Sequence, residues 1–198
     1  MIRTMMRMEI RRGAKKMKKI INAMVALAML FAVAGSPVLA APQKDSGNAA
    51  LSRQVRKNLV TLPFYGVFDN LAYEVNADGD TVTLYGQVTR PITRKDAERR
   101  VSKIEGVERV INRIEVLPVS PFDDRIRART YRAVFNTGGL HRYAMGANPS
   151  IHIVVNRGHV TLEGVVSGKM DKQLAYMAAR QVPGVFSVTN NLVIEGEN

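Results

Sequence analysis

One stretch of this chain occurs twice. Val82-Thr83-Leu84-Tyr85-Gly86-Gln87-Val88 returns as Val160-Thr161-Leu162-Glu163-Gly164-Val165-Val166, 78 residues later, and the same spacing carries Ala97 onto Ala175, Gly106-Val107 onto Gly184-Val185, Val110 onto Val188 and Asn112 onto Asn190. A spacing that survives so many matches without a gap marks a tandem duplication. Each copy has roughly 70 residues, enough for a small core that surface-to-volume scaling keeps thin. The connector Leu117-Pro118-Val119-Ser120-Pro121 is short, and its two prolines make it stiff.

Hydrophobic period and turn chemistry give the order of elements. In copy one, Leu51, Val55, Leu59 and Leu62 fall on one face of a helix that Pro63 ends. Tyr73 and Val75 flank Glu74 in a strand, Asp78-Gly79 makes a hairpin turn, and Val82, Leu84, Gly86 and Val88 line one face of the returning strand. A second helix is expected to open on a capping box at Thr93 and Asp96, to bury Ala97, Val101 and Ile104, and to close at Gly106. A last strand is predicted from Val107 to Val116. Copy two repeats the order: Ile126, Thr130 and Val134 on a helix capped by Asp123-Asp124, Ile151, Ile153 and Val155 alternating in a strand, a turn at Arg157-Gly158, the strand Val160 to Val166, a helix over Leu174 to Val182, and a strand after Gly184. The predicted class is α+β, with two tandem α-β-β-α-β domains at 51–118 and 122–196.

The repeated pieces Gly-x-x-Val-Thr-Leu-x-Gly-x-Val and Gly-Val-x-x-Val-x-Asn resemble the BON domain (bacterial OsmY and nodulation). Copy one supplies Gly79, residues 82–88 and Gly106-Val107-Glu108-Arg109-Val110-Ile111-Asn112; copy two supplies Gly158, one residue nearer its strand, with residues 160–166 and Gly184-Val185-Phe186-Ser187-Val188-Thr189-Asn190. The resemblance implies a three-stranded mixed sheet against two helices in each domain, and a periplasmic role in envelope maintenance or stress. It further implies binding of phospholipid or hydrophobic surfaces, and no catalysis. Members anchored through a lipidated cysteine differ from this chain, which has no cysteine.

Residues 1–40 read as a signal peptide: a basic start, an apolar run from Ile20 to Val33, and Val38-Leu39-Ala40 ahead of a cleavage point after Ala40. The run is shorter than the roughly 20 residues that span a bilayer. Met17-Lys18-Lys19 would by itself make an ordinary beginning for such a leader. Residues 41–50 are small and polar and are expected to form a disordered tether. Of the formal charge of +12, the leader holds eight basic residues against Glu9, so +7 belongs to it and +5 to the remainder. That excess is too small for a nucleic-acid partner. The absence of cysteine removes disulfide, zinc-thiolate and cysteine-nucleophile chemistry, and the absence of tryptophan weakens any sugar- or base-stacking role.

Nothing points to a cofactor or a metal. His141, His152 and His159 share no ligand spacing, and His152, between Ile151 and Ile153, is predicted to face away from the core. No nucleophile elbow, phosphate loop or dinucleotide fingerprint is present. Asn112 and Asn190 are expected to satisfy backbone groups near a strand end, and Gly86 and Gly164 to permit close packing of helix on sheet. The candidate ligand surface is the first helix of copy two. There Arg125, Arg129 and Arg132 repeat at i, i+4 and i+7, a stripe suited to the phosphates of an anionic phospholipid surface, with Tyr131, Arg142 and Tyr143 as further contacts. A second candidate is the apolar set Leu174, Tyr176 and Met177, where copy one has Asp96, Glu98 and Arg99. Copy one, a second molecule, a membrane or a client protein is expected to cover it. The functions these features allow are peripheral lipid binding at the envelope, or a periplasmic interaction or chaperone-like protein that holds clients.

Overall fold

The computed structural model describes residues 44–146 and 148–196; the leader and its cleavage point lie outside them. Copy one runs α1 (Lys44–Val60), β1 (Asn70–Val75), β2 (Thr81–Val88), α2 (Pro91–Val101), β3 (Arg109–Asn112) and β4 (Glu115–Val116). Copy two runs α3 (Pro121–Phe135), a 3-10 turn (Leu140–Ala144), β5 (Ile151–Asn156), β6 (His159–Val166), α4 (Lys169–Arg180), β7 (Ser187–Asn190) and β8 (Val193–Ile194). The helix-strand-strand-helix-strand order appears twice, as the period of the apolar residues demands. In each sheet the long strand is central, antiparallel to the first strand and parallel to the third, which is split in two.

The split corrects the continuous last strand that the apolar pattern suggested. Asn112 Oδ1 accepts from Ile114 N at 3.1 Å and its Nδ2 donates to Arg94 O at 3.1 Å, which turns Ile114 into the core and ties the break to the first turn of α2. In copy two, Asn190 takes the amide of Leu192 at 3.3 Å and reaches Lys172 O at 2.9 Å. Each amide satisfies backbone groups where the ladder stops, because a buried N–H without a partner costs more than the bond returns.

Residues 44–50, read as a tether, are helical. Ala49 and Ala50 are strong helix formers, and Asn48 Nδ2 donates to Ala77 O at 3.1 Å, so the first turns of α1 are fastened to the β1–β2 hairpin. The capping box also differs: α2 starts at Pro91, a first-turn residue with pre-set φ, and leaves Thr93 inside the helix, buried, with its hydroxyl unbonded. At α3 the cap is Ser120, whose hydroxyl accepts from Asp123 N at 3.2 Å. Asp123 is thereby free to turn inward, where its two oxygens accept from Gly158 N at 2.8 Å and Arg157 N at 2.9 Å and hold the β5–β6 turn. That turn has positive φ at both central residues, 51° and 80°, as a two-residue hairpin of matching twist requires.

Gly86 and Gly164 sit in mid-strand at φ +115°. A Cβ there would lie 2.0 Å from the carbonyl oxygen of Asn70 or Ser150, so the close neighbour is the adjoining strand's backbone and not a helix.

Each copy has its own core: Leu51, Val55, Leu59, Val82, Leu84, Ala97 and Val101 among others in the first, Ile126, Val134, Ile151, Ile153, Leu162, Ala175 and Ala179 in the second. The second core has two contributors from the first copy, Val67 and Phe68. They belong to the α1–β1 connection, which Asp69 folds into a tight bend. Its buried carboxylate accepts from Thr89 N at 2.6 Å, from the Thr89 hydroxyl at 2.9 Å and from Gly66 N at 3.1 Å. From this bend the Val67 carbonyl accepts from Ile153 N at 2.7 Å, capping the edge of β5.

Candidate functional site: the arginine face of α3 and the joint between copies

Helical geometry puts Ile126, Thr130 and Val134 of α3 inward and leaves Phe122, Arg125, Arg129 and Arg132, at i, i+3, i+7 and i+10, on one outward face. Among the described residues none of the three arginines pairs with a carboxylate. Arg129 donates to Pro183 O at 3.4 Å and Arg132 to Ala128 O at 3.2 Å. Both border a groove of about 580 Å3 between α3 and the end of α4, with Ala178, Val182 and Pro183 as its apolar wall. At the N-terminal end of the face Phe122 lies 6.0 Å from Phe186, a ring 69% exposed. Gly158 beneath makes room for it, since a side chain there would meet the Phe186 ring at 2.7 Å. The stripe therefore ends in an exposed aromatic pair that the sequence pattern did not single out.

The other expected contacts lie elsewhere. Tyr131 faces the joint, with its ring edge-on to Phe135 at 4.8 Å and near Phe68 of copy one at 6.2 Å. Tyr143 is buried; its hydroxyl donates to Asp171 Oδ2 at 2.6 Å and accepts from Ser167 N at 2.9 Å, the place that Asp69 fills in copy one. Arg142 bonds the Tyr143 hydroxyl at 3.0 Å and Asp171 at 2.5 Å, and these contacts, the tyrosine's first, hold its guanidinium above its ordinary pKa. Both residues brace the α3–β5 connection. Leu174 is half-buried against its own copy's core, with Cδ1 3.0 Å from where a Cβ on Gly138 would stand. Tyr176 is half-buried and Met177 exposed. Of the three, Leu174 packs on copy two's own core, and copy one docks elsewhere, on β5 and α3.

The joint holds the residue most misplaced by sequence reasoning. His152 is buried, because the second face of β5 is covered by the bend at 65–69. Its Nδ1–H donates to Gly66 O at 3.2 Å, Nε2 accepts from the Tyr65 hydroxyl at 3.4 Å, and the two rings lie 5.2 Å apart. Burial, opposed by bonds to the bend, lowers its pKa below 6.5, and burial likewise pushes Tyr65 up to about 12. The signal that would have placed His152 inside is its neighbour Val154. A strand reading Ile-His-Ile-Val-Val is apolar on both faces, as strands covered on both sides are.

No group of histidine and carboxylate side chains among the described residues is arranged to hold a metal ion, and no described helix is long and apolar enough to cross a membrane.

The twice-built fold agrees with the family comparison. The model of the BON domain matches residues 48–118 and again 123–196, and the chain belongs to that family. Both matches begin at the residue that reaches the hairpin turn of its copy, Asn48 or Asp123. Membership supports an envelope-associated role of the binding kind, not a catalytic one. Among solved structures, the C-terminal domain of CdsD, the structural protein of the type III secretion system of Chlamydia trachomatis, is similar at 10% identity and TM-score 0.29, over 73% of this chain and 96% of that one. A second structure of CdsD is similar at 11% identity and TM-score 0.29, over 73% and 92%. A search of curated proteins finds no match.

Proposed function

We propose that the protein is a non-enzymatic periplasmic module, released from its leader, that docks peripherally on anionic phospholipid through the outer face of α3. The observation that carries this reading is the row Phe122, Arg125, Arg129 and Arg132, three exposed guanidiniums with no carboxylate partner among the described residues, ending in an exposed ring beside Phe186. Guanidiniums fit phosphate oxygens in a fork, and an exposed apolar phenylalanine ring gains by burial at the boundary of headgroups and acyl chains. Each arginine near an anionic leaflet is worth about 1 kcal/mol, so removing all three weakens binding on the order of 100-fold.

The test is flotation with vesicles of phosphatidylglycerol and phosphatidylcholine. The protein is expected to float with the anionic vesicles at roughly 0.05 M salt, to be released at roughly 0.5 M, and to ignore vesicles of phosphatidylcholine alone. Arg125→Glu with Arg129→Glu and Arg132→Glu should abolish flotation with the fold intact. Equal flotation of the triple variant would end the reading. The exposed Met145, Met170 and Met177 favour a second reading, in which a soft apolar surface holds partly folded clients; protection of a client from aggregation that does not respond to salt would support it.

A further inference from the structure

We propose that the joint between the two copies is an acid-sensitive latch, with His152 as the group that releases it. The hydrogen bonds and core contacts between copy one and copy two centre on one bend, beside which β1 approaches β5: Val67 caps the β5 edge, Phe68 enters the second core, and Tyr65 and Gly66 close on His152. The imidazole is buried, with Tyr65 and Gly66 of the bend bonded to its two ring nitrogens. Neutral imidazole satisfies the arrangement, donating at Nδ1 and accepting at Nε2. Tyr65 keeps its proton throughout the physiological range and is the donor to Nε2. A second proton on the ring makes Nε2 a donor, so the tyrosine must turn its own proton away and the bond in its present sense is lost.

The charged groups facing His152 set the balance. Asp69 on the bend and Glu163, its partner across β6, favour the imidazolium; Arg56 of α1, across a cleft of about 460 Å3 that His152 also lines, carries like charge. Removal from water outweighs both carboxylates, so the closed joint holds the ring neutral. With the bend withdrawn, the ring regains an ordinary pKa near 6.5. The closed form is therefore favoured fully above that value, and closure weakens as the pH falls below it, by up to tenfold per pH unit, until the depressed pKa of the closed form is passed. Opening uncovers His152, Val154 and the β5 edge on copy two, and Val67 and Phe68 on copy one. An envelope compartment that takes up external acid would thus switch this module from closed to sticky.

A chain without cysteine allows a clean distance measurement. Lys103→Cys and Gln173→Cys, both exposed and one in each copy, would carry a donor and an acceptor dye. Energy transfer is expected to be constant from about pH 8 to pH 7 and to change below about pH 6.5, with far-ultraviolet circular dichroism unaltered. In His152→Gln, which keeps a donor for Gly66 O and does not titrate, transfer is expected to stay constant to about pH 4.5. Constant transfer in the parent protein over that range, or an identical transition in His152→Gln, would overturn the proposal. If His152→Gln is already open at neutral pH, the proton signal of His152 Cε1 in the parent decides: titration at or above about 6.5 in the closed protein rejects the latch, and titration below it, coincident with the distance change, supports it.

Discussion

Gly164→Ala is expected to cost copy two at least about 3 kcal/mol, more than most single substitutions in a small domain. Two effects combine. A φ of +115° lies where an L side chain crowds its own backbone, by itself a penalty of about 1–2 kcal/mol. The new methyl would also stand 2.0 Å from the Ser150 carbonyl oxygen, and that atom belongs to a backbone that cannot swing aside without opening the β5–β6 ladder. Gly86→Ala should act equally on copy one, against Asn70 O at the same 2.0 Å. Gly106→Ala is the control: its φ is +90°, but no atom lies within 4 Å of the added methyl, so only the backbone term of about 1–2 kcal/mol remains. Urea denaturation of the three variants measures the order. Equal losses for Gly164→Ala and Gly106→Ala would show that the strands part easily and that the clash costs nothing.

Asp123→Ala should cost about 3 kcal/mol through a different route. The methyl leaves the amides of Arg157 and Gly158 without acceptors in a turn that is closed to water at Gly158. Asn at this position still accepts one of the two bonds and should lose about half as much. Asn48→Ala, at the matching place in copy one, removes a single exposed bond to Ala77 O and should cost about 1 kcal/mol or less. Thermal unfolding followed by circular dichroism would rank the three. A rank with Asn48→Ala first would mean that copy one's helix depends on its hairpin more than copy two's does.

The repeat made the fold readable, and its single spacing also concealed part of it. From Val82 onward the copies correspond at 78 residues, and the strands, second helices and asparagine-stopped ladders follow. In the first helix the correspondence is 75, with Leu51, Val55 and Leu59 in the places of Ile126, Thr130 and Val134; in the first strand it is 80, Leu71 matching Ile151 opposite the mid-strand glycine. Copy two therefore has five more residues before its first strand and two fewer in its hairpin. A comparison at 78 does not align Asn48 with Asp123, which is why residues 44–50 looked like a tether. Local pattern put Arg125, Arg129 and Arg132 on one exposed helix face, where they stand, because surface position on a helix follows from angle alone. It failed for Tyr143 and His152. Their burial is decided by a connection specific to copy two and by a bend arriving from copy one, neither of which leaves a periodic trace.

The Val67 to Ile153 bond makes the two copies unequal on separation. Copy one would keep the bend as part of its own chain, whereas copy two expressed alone would lose the cap on its β5 edge, the Val67 and Phe68 side chains that pack on its core, and the two partners of His152.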